Sequence, residues 1–413
     1  MSVEELAAER QPGMAVTPGP ATGSVAATAG SDAIADLGWD GGWATTFLPF
    51  AANGRRPGRV IAVHKETAIV RAADGIDRPA SVSGRFRHEA LTTSDYPAVG
   101  DWVALEPTTD RSDGFSDSPA RAFDAGGLTI IAAVLPRRSA FRRSAADASR
   151  RTAGLLADEQ VIAANVDIAL LVAGLDNDFN VRRLERYLAV AWSSGVSPVI
   201  VLNKADIARD IEGRLLEVAA IAPGVPILTL SALTGEHLAD LAATLLPGRT
   251  AVVLGSSGVG KSTLVNALLG AALQATAAVR GDDSRGRHTT THRELFVLPG
   301  GPLLIDTPGI RSLEVAGADE GVETAFDDIT ELATACRFRD CRHGGEPGCA
   351  VRRAVDEGSL SEDRLASQRK LERELAHAER KTDPRALAAE RKRWKTIHKA
   401  VDRQMHRKYE DER

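Results

Sequence analysis

The sequence predicts a multidomain chain in which a small β-barrel precedes an α/β domain and a helical, cysteine-containing region comes last. Three observations lead to this fold class. Short β-type runs occupy residues 60–134, apolar strands alternate with helical spacing over residues 166–305, and all three cysteines fall within residues 336–349. A length of 413 residues agrees with several domains of ordinary size.

The barrel is predicted from five short runs at close spacing, which are residues 60–64, 67–71, 78–83, 101–105 and 128–134. Five such strands favour an OB-fold, a frequent RNA-binding scaffold, within residues 37–137, although a barrel of this kind can also bind protein. Residues 1–36 are rich in Ala, Gly, Pro, Ser and Thr, and we expect a disordered tail there. A loop is expected over residues 107–127.

A basic linker, residues 138–165, leads into the α/β domain predicted for residues 166–320. The apolar strands of this domain are residues 166–173, 198–202, 227–230, 251–254 and 303–305. Because these strands alternate with helical segments, a mostly parallel sheet with helices on both faces is expected. A metal-binding region, residues 321–360, and a basic helical tail, residues 361–413, follow; the charges of that tail fit either RNA binding or a solvated helix face.

The composition of the chain argues against several classes of protein function. No run of about 18 apolar residues is present, and the N-terminus lacks the pattern of a signal peptide, so we expect a cytoplasmic protein without a membrane partner. The net charge of −5 argues against indiscriminate binding to nucleic acid. We expect a monomer.

A phosphate-binding loop is predicted between the strand at residues 251–254 and a helix. It consists of Gly255, Ser256, Ser257, Gly258, Val259, Gly260, Lys261 and Ser262, with Thr263 next to it. Glycines let backbone N–H groups approach the phosphates, Lys261 neutralises their oxygens, and the Ser262 hydroxyl ligates Mg²⁺. The motif Asp306-Thr307-Pro308-Gly309 follows a later strand, where Asp306 can hold Mg²⁺ and the Gly309 N–H can meet the γ-phosphate.

The motif Asn203-Lys204-Ala205-Asp206 predicts that the base is guanine. The Asp206 carboxylate can accept from the guanine N1 and N2 protons, whereas adenine would present an acceptor there. Asn203 is expected to tie loops together and the Lys204 stem to cover the base. Ser231 and Ala232 follow another strand, where a backbone N–H can contact the guanine O6.

A polar segment, residues 285–291, lies between the phosphate loop and Asp306 and is suited to a switch ordered by the γ-phosphate. Thr290 is the predicted third Mg²⁺ ligand beside Ser262 and Asp306, with Thr289 and Thr291 as close alternatives. Asn203 and Ser231 precede Gly255 in the chain, whereas ordinary GTPases have the base-reading motif after the switches. The sequence therefore predicts a circularly permuted GTPase.

A metal site is predicted from the only cysteines of the chain and one histidine, which are Cys336, Cys341, His343 and Cys349. Three sulfurs and one imidazole in one short segment can form a closed tetrahedral zinc shell. A closed shell leaves no position for substrate, so the predicted zinc is structural, at one ion per chain.

These motifs and their order resemble the RsgA (YjeQ) family, the ribosome small subunit-dependent GTPases. Further points of likeness are A-V-G-D-W-V at residues 98–103, L-P-R-R-S at 135–139, A-A-N-V-D at 163–167, R-R-L-E-R-Y at 182–187, R-H-T-T-T at 287–291 and D-T-P-G-I-R at 306–311. The resemblance covers roughly residues 55–360. The tail and the loop at 107–127 depart from the compact family pattern.

The resemblance implies an enzyme that hydrolyses GTP to GDP and phosphate, stimulated by the small ribosomal subunit, in late maturation of that subunit through ribosomal RNA contacts. Two alternatives remain open: a checkpoint module that uses GTP mainly as a conformational ligand, and a translation or stress-signalling GTPase. Residue 310 is Ile, where many GTPases carry a glutamine that orients the attacking water. His288 is the predicted catalytic replacement, with a purely RNA- or phosphate-contacting role as the alternative.

Overall fold

The N-terminal part of the chain forms the predicted barrel. A computed structural model describes residues 31–64, 67–107, 129–144, 159–270, 293–306 and 319–382. The barrel strands are β1 (Arg56–His64), β2 (Thr67–Ala72), β3 (Asp77–Val82), β4 (Trp102–Leu105) and β5 (Thr129–Val134). Pairing in the order β1-β2-β3-β5-β4, with β4 returning to β1, closes the barrel and confirms the five-stranded prediction. The loop expected at 107–127 lies outside the described residues except for residue 107.

Three helices contact the barrel strands in the described part of the chain. They are α1 (Ser31–Ala35), α2 (Gly41–Ala51) and, between β3 and β4, α3 (Gly84–Glu89). Asp40 begins α2 by accepting a hydrogen bond from the Trp43 N–H at 2.9 Å. Helix α1 lies within the range predicted as a disordered tail, and its buried Ile34 belongs to the same apolar cluster as Trp102. Burial of that apolar side chain explains why residues 31–35 are helical rather than disordered; residues 1–30 lie outside the described part.

The predicted linker also contains regular structure. Strands β6 (Ala140–Ser144) and β7 (Glu159–Ala164) form an antiparallel pair of their own. Phe141 and Ile162 from the two strands are buried in the main apolar cluster. The described parts of this segment, residues 138–144 and 159–165, therefore pack against their neighbours, which the basic composition of the segment had not indicated.

The central sheet has the predicted alternation of strands and helices. Its strands are β8 (Ile168–Gly174), β9 (Ser197–Asn203), β10 (Ile227–Thr229), β11 (Thr250–Leu254), β12 (Arg293–Val297) and β13 (Leu303–Asp306). Their order is β10-β9-β8-β11-β13-β12, parallel except for β12. The helices are α4 (Val181–Ser193), α5 (Ile211–Ile221), α6 (Leu238–Thr244) and α7 (Lys261–Leu269). Alternate residues of the strands enter two apolar clusters, one on each face of the sheet.

The described C-terminal region is helical, as predicted. Its helices are α8 (Asp319–Ala325), α9 (Asp327–Thr334), α10 (Ala350–Asp356) and α11 (Glu362–Thr382). They enclose a third apolar cluster that includes Phe326, Ile329, Leu365 and the metal-site residue Cys349. Residues 383–413 of the predicted basic helical tail lie outside the described residues. Within the described ranges, no helix combines the length and apolarity needed to cross a bilayer.

The barrel and the central sheet share backbone hydrogen bonding. Strand β1 pairs antiparallel with β12, with Ala62 opposite Glu294 and Val63 opposite Arg293. Arg59 lies at the same boundary and is 2% exposed. Its guanidinium donates to three backbone carbonyls and to the Thr250 hydroxyl, which is 2.8 Å from Nη2; the carbonyls belong to Leu37, Gly100 and Asn165. We refer to these contacts as the N-terminal junction.

The C-terminal region instead rests on α4 through side chains and close helix packing. Glu185 of α4 is fully buried and accepts from Arg364 at 3.0 Å and from the Ser367 hydroxyl at 2.6 Å. Gly321 of α8 packs so closely that a Cβ there would collide with the Ala189 carbonyl oxygen of α4. These contacts form the C-terminal junction.

Candidate nucleotide site and metal centre

The carboxyl ends of four parallel strands bring the predicted nucleotide loops together. In the register of the sheet, Gly174 of β8 lies opposite Asn203 of β9, and Val252 of β11 lies opposite Ile305 of β13. Asp306 is therefore level with the end of β11, where the phosphate loop begins. Ligands of open α/β sheets bind at this edge.

The phosphate loop connects β11 to α7 as expected from its sequence. Gly258 and Gly260 have φ angles of +85° and +93°, a left-handed conformation that favours glycine. A Cβ at Gly260 would also collide with the Asn203 side-chain amide. The Lys261 ammonium lies over the loop and donates to the carbonyls of Gly255 at 2.9 Å and Ser256 at 2.5 Å. Ser257, Ser262 and Thr263 are exposed, and Val259 anchors the loop in the core.

Asn203 joins three loops of the site. Its Nδ2 donates to the Val259 carbonyl of the phosphate loop at 2.9 Å, and its Oδ1 accepts from the Ala232 N–H at 2.9 Å. Both contacts are buried, so they hold the base-reading loop in register with the other two loops. This is the loop-tying arrangement that the sequence predicts for Asn203.

Asp206 and Lys204 are held in opposite directions. The Ser231 hydroxyl donates to Asp206 Oδ1 at 2.6 Å, which fixes the carboxylate on the β10 side of β9. Lys204 has a positive φ of +67°, and its ammonium donates to Asp176 Oδ2 at 2.5 Å on the β8 side. The two predicted base-contacting side chains are thereby separated across the loop.

The structure adds two carboxylates that the sequence reasoning missed. Asp176 and Asp178 follow β8 directly, and Asp178 Oδ2 accepts from the Ser256 hydroxyl of the phosphate loop at 3.1 Å. The sequence could have predicted that these two carboxylates lie near the nucleotide, because acidic residues just after a strand of a parallel sheet lie at its ligand-binding edge. The predicted site residues His288, Thr290 and Gly309 lie outside the described residues, and their roles stay predictions.

The metal-site prediction converges on one cluster between α9 and α10. One ligand atom from each of Cys336, Cys341, His343 and Cys349 lies within 4.8 Å of the others. Cys336 Sγ is 3.9 Å from Cys349 Sγ and 3.6 Å from His343 Nδ1. Metal–sulfur bonds of about 2.3 Å in a tetrahedron place sulfurs about 3.8 Å apart, so these four side chains can hold a metal ion.

The chemistry of His343 and Cys336 agrees with this geometry. Burial, followed by the charge of Arg369, lowers the pKa of His343, which favours the neutral imidazole that a metal requires. Burial acts to raise the pKa of the Cys336 thiol, but hydrogen bonds from the Val351 and Ala350 N–H groups and from the Cys349 and Cys341 thiols together outweigh it, and the net pKa is lowered. A lowered thiol pKa favours the thiolate, the form that binds metal.

Comparisons with known proteins agree with the fold and the order of the loops. The model of the RsgA GTPase family matches residues 134–316. A small ribosomal subunit biogenesis GTPase RsgA of Opitutus terrae is 47% identical over 369 residues, covering 88% of this chain and 96% of the relative. The protein of the same name from Streptomyces coelicolor is 45% identical, covering 88% of this chain and 92% of its own length.

Two crystal structures resemble the chain over 78% of its length. YjeQ from Thermotoga maritima superimposes with a TM-score of 0.53 at 27% identity over 99% of its own chain. YloQ, described as a circularly permuted GTPase, gives 0.51 at 25% identity over 96% of its chain. The fold and the permuted loops thus define a circularly permuted GTPase. A relative is 47% identical over 88% of this chain, so the chain belongs to the RsgA GTPase family.

Proposed function

We propose that this GTPase acts in biogenesis of the small ribosomal subunit and that the subunit stimulates its hydrolysis of GTP. The observation that carries the proposal is the likeness to small-subunit biogenesis GTPases, which spans the barrel, the permuted domain and the metal-binding region. Contact with ribosomal RNA is supported by the closed five-stranded barrel, a scaffold that often binds oligonucleotides. Ribosome assembly would place the protein in the cytoplasm, and we propose that it acts as a monomer.

The nucleotide-binding roles follow from the loops at the sheet edge. We propose that Asp206 reads the guanine edge, that Lys261 neutralises phosphate oxygens, and that Ser262 and Asp306 hold Mg²⁺ together with Thr290. The fit is supported by the position of Asp306, level with the end of β11, and by the exposed Ser262 hydroxyl in the first turn of α7. When bound, Mg²⁺ neutralises charge on the β and γ oxygens.

The metal of the C-terminal cluster is proposed to be zinc with a structural role. Three thiolates and one imidazole form a complete tetrahedral donor set, which zinc prefers and which leaves no open position. Cys349 also lies in the apolar core of the C-terminal region. A bound ion would therefore join α9 and α10 to that core.

The remaining catalytic assignment is His288. We propose that it orients the attacking water when the small subunit is bound, because residue 310 is an isoleucine. His288→Ala should abolish the stimulated rate and keep both GTP affinity and subunit binding. A variant that binds subunits poorly but turns over normally at saturation would make His288 a contact residue instead.

The experiment that tests the proposed function compares GTP hydrolysis by the full chain alone, with purified small subunits and with large subunits. We expect the small subunit to raise kcat by at least about tenfold and the large subunit to have no such effect. Lys261→Ala serves as the background control, since it removes the phosphate-neutralising ammonium. Equal rates in all three conditions would contradict the proposal.

A further inference from the structure

The loop between β8 and α4, residues 175–180, contacts both the base-reading loop and the phosphate loop. We call it the bracing loop. Asp176 contacts Lys204 of the base-reading loop, and Asp178 contacts Ser256 of the phosphate loop. Asn180 ends the bracing loop by capping α4, because its Oδ1 accepts from the Arg183 N–H at 3.2 Å. The position of the bracing loop is therefore tied to the first turn of α4.

The ion pair between Asp176 and Lys204 is the shorter of the two contacts. Lys204 Nζ lies 2.5 Å from Asp176 Oδ2, and each side chain is 26% exposed. The hydrogen bond from Lys204 is the main cause of the lowered pKa of Asp176, so the Asp176 carboxylate is charged at neutral pH. Lys204 itself stands in the left-handed backbone conformation, which directs its side chain away from the path of β9.

The strand order explains what this pair does for the pocket. Strand β9 lies between β8 and β10, so Asp176 pulls the Lys204 ammonium toward β8 while Ser231 holds Asp206 toward β10. The two side chains are kept apart, and a planar base can enter between the Lys204 stem and the Asp206 carboxylate. A lysine held in one rotamer before binding also loses less conformational entropy when the base arrives.

We propose that Asp176 is a positioning residue for guanine nucleotides, which fixes the Lys204 side chain so that its stem forms one wall of the base pocket. The inference rests on the proposed function, in which Lys204 and Asp206 belong to the base site. It adds an affinity-setting carboxylate outside the four motif residues 203–206. Because the base is common to GTP and GDP, Asp176 acts on both nucleotides equally.

The test measures the affinity of the full chain for fluorescent GTP and GDP analogues after Asp176→Asn. We expect both dissociation constants to rise by about fivefold to tenfold and by the same factor, as for loss of a hydrogen bond between charged groups. In hydrolysis assays the change should fall on KM rather than kcat. Asp176→Glu, which restores the charge, should recover most of the affinity.

Glu212→Gln is the matched control, because it removes one exposed carboxylate from the first turn of α5 and should change affinity by less than about twofold. Unchanged or tighter binding of both nucleotides by Asp176→Asn would overturn the inference. A loss of affinity that comes with a lowered melting temperature and is not rescued by Asp176→Glu would assign Asp176 a merely structural role and overturn it as well.

A parallel measurement on Asp206→Asn separates this inference from the proposed function. If Asp206→Asn weakens GTP binding and Asp176→Asn does not, only the role of Asp176 is refuted. If neither variant changes GTP affinity, the base-site assignment and the inference both fail. Loss of affinity in both variants, with rescue by Asp176→Glu, supports both.

Discussion

The two regions that flank the nucleotide domain are attached to it in different ways. At the N-terminal junction the barrel continues the central sheet through β1 and β12, and one buried arginine bonds to three separate chain segments and to Thr250. At the C-terminal junction, helices rest on α4 through two ion pairs, Arg364–Glu185 and Arg186–Glu374, and through apolar packing. Thr250 begins the strand that ends in the phosphate loop. The barrel is thus built into the nucleotide sheet, whereas the metal-binding region is docked on its surface.

Arg59 shows the physical basis of the first attachment. Burial lowers the pKa of Arg59 to about 10, so the guanidinium is still charged at neutral pH. Its charge is offset by carbonyl dipoles, by the ring of Trp102 at 5.3 Å and by the fields of Asp167 and Asp101. Several of the sequence motifs that carry the family resemblance, at residues 98–103 and 163–167, supply these partners. Their role here is to build the junction rather than to contact nucleotide.

Removal of the metal should have the largest effect on the protein. That effect should be confined to the C-terminal region. Cys341→Ala is expected to lose the proposed zinc, about one ion per chain, and to disorder the C-terminal region, because Cys349 lies in its apolar core and Cys336 and Cys341 pack against that core. Nucleotide affinity should stay within about twofold, since the region is only docked on α4. Metal analysis and hydrogen exchange would check both points. Native protection of the C-terminal helices in the metal-free variant would contradict this.

Arg59→Met should destabilise the N-terminal junction by about 3 kcal/mol, because buried carbonyls and the Thr250 hydroxyl lose their donor. Unlike the metal variant, it should reduce the stability of the barrel and the nucleotide domain together. Denaturant unfolding followed by tryptophan fluorescence is a direct readout, since Trp102 lies against Arg59. Arg56→Met, an exposed arginine of the same strand, is the control. If the barrel and the nucleotide domain unfolded independently in the Arg59 variant, the prediction that they lose stability together would be wrong.

Arg364→Met should cost about 2 kcal/mol at the C-terminal junction, because Glu185 stays buried while losing one of its partners. Arg182 and Ser367 still contact Glu185, which keeps the cost below that of an unpaired buried charge. Adding Glu185→Gln to Arg364→Met should recover part of the loss. A double variant that is less stable than the sum of the two single variants would show that the pair is not the source of the effect.

The smallest effect is expected at the surface of the N-terminal junction. The hydrogen bond from Arg138 is the main reason why the pKa of Asp40 falls from 3.8 to about 2. A depressed carboxyl pKa contributes stability that is present above about pH 4 and is lost as the pH falls toward 2. Both side chains are about half exposed, so Asp40→Asn should cost less than about 1 kcal/mol at pH 7. In acid unfolding, the free energies of unfolding of the natural chain and the variant should become equal near pH 2. A stability difference that stays constant from pH 7 to pH 2 would rule out the ion pair as its cause.

The sequence predicted those parts of the fold that local patterns determine. The five barrel strands, the parallel strands and the C-terminal helices follow from hydrophobic spacing. Strand β12 was missed because only Leu295 of its five residues is buried, so it carries no clear alternation. Strands β6 and β7 were read as a basic linker because their pairing joins residues far apart in sequence. Arg59 could not be recognised, since a lone arginine in a strand looks like a solvated residue until the contacts around it are known.

The residues of the candidate site also differ in whether a local sequence pattern indicates them. Loop motifs supplied the candidate nucleotide- and metal-binding residues, because phosphate, guanine and metal chemistry each require particular side chains at fixed spacing. Asp176 escaped detection because its effect depends on the neighbouring strand order and on the direction of the Lys204 side chain. Contacts that act through another residue carry no motif of their own.

We propose that a permuted guanine site is coupled to the small ribosomal subunit. One measurement tests both parts, namely hydrolysis of GTP and of xanthosine triphosphate by Asp206→Asn, each with and without small subunits. The side-chain N–H of the new amide would oppose the guanine N1 proton, which is also a donor. The same N–H could donate to the additional oxygen of xanthine. We predict that small subunits stimulate xanthosine triphosphate hydrolysis by the variant and no longer stimulate GTP hydrolysis at a nucleotide concentration that saturates the natural chain. Subunit-stimulated GTP hydrolysis that is unchanged in Asp206→Asn would contradict the account.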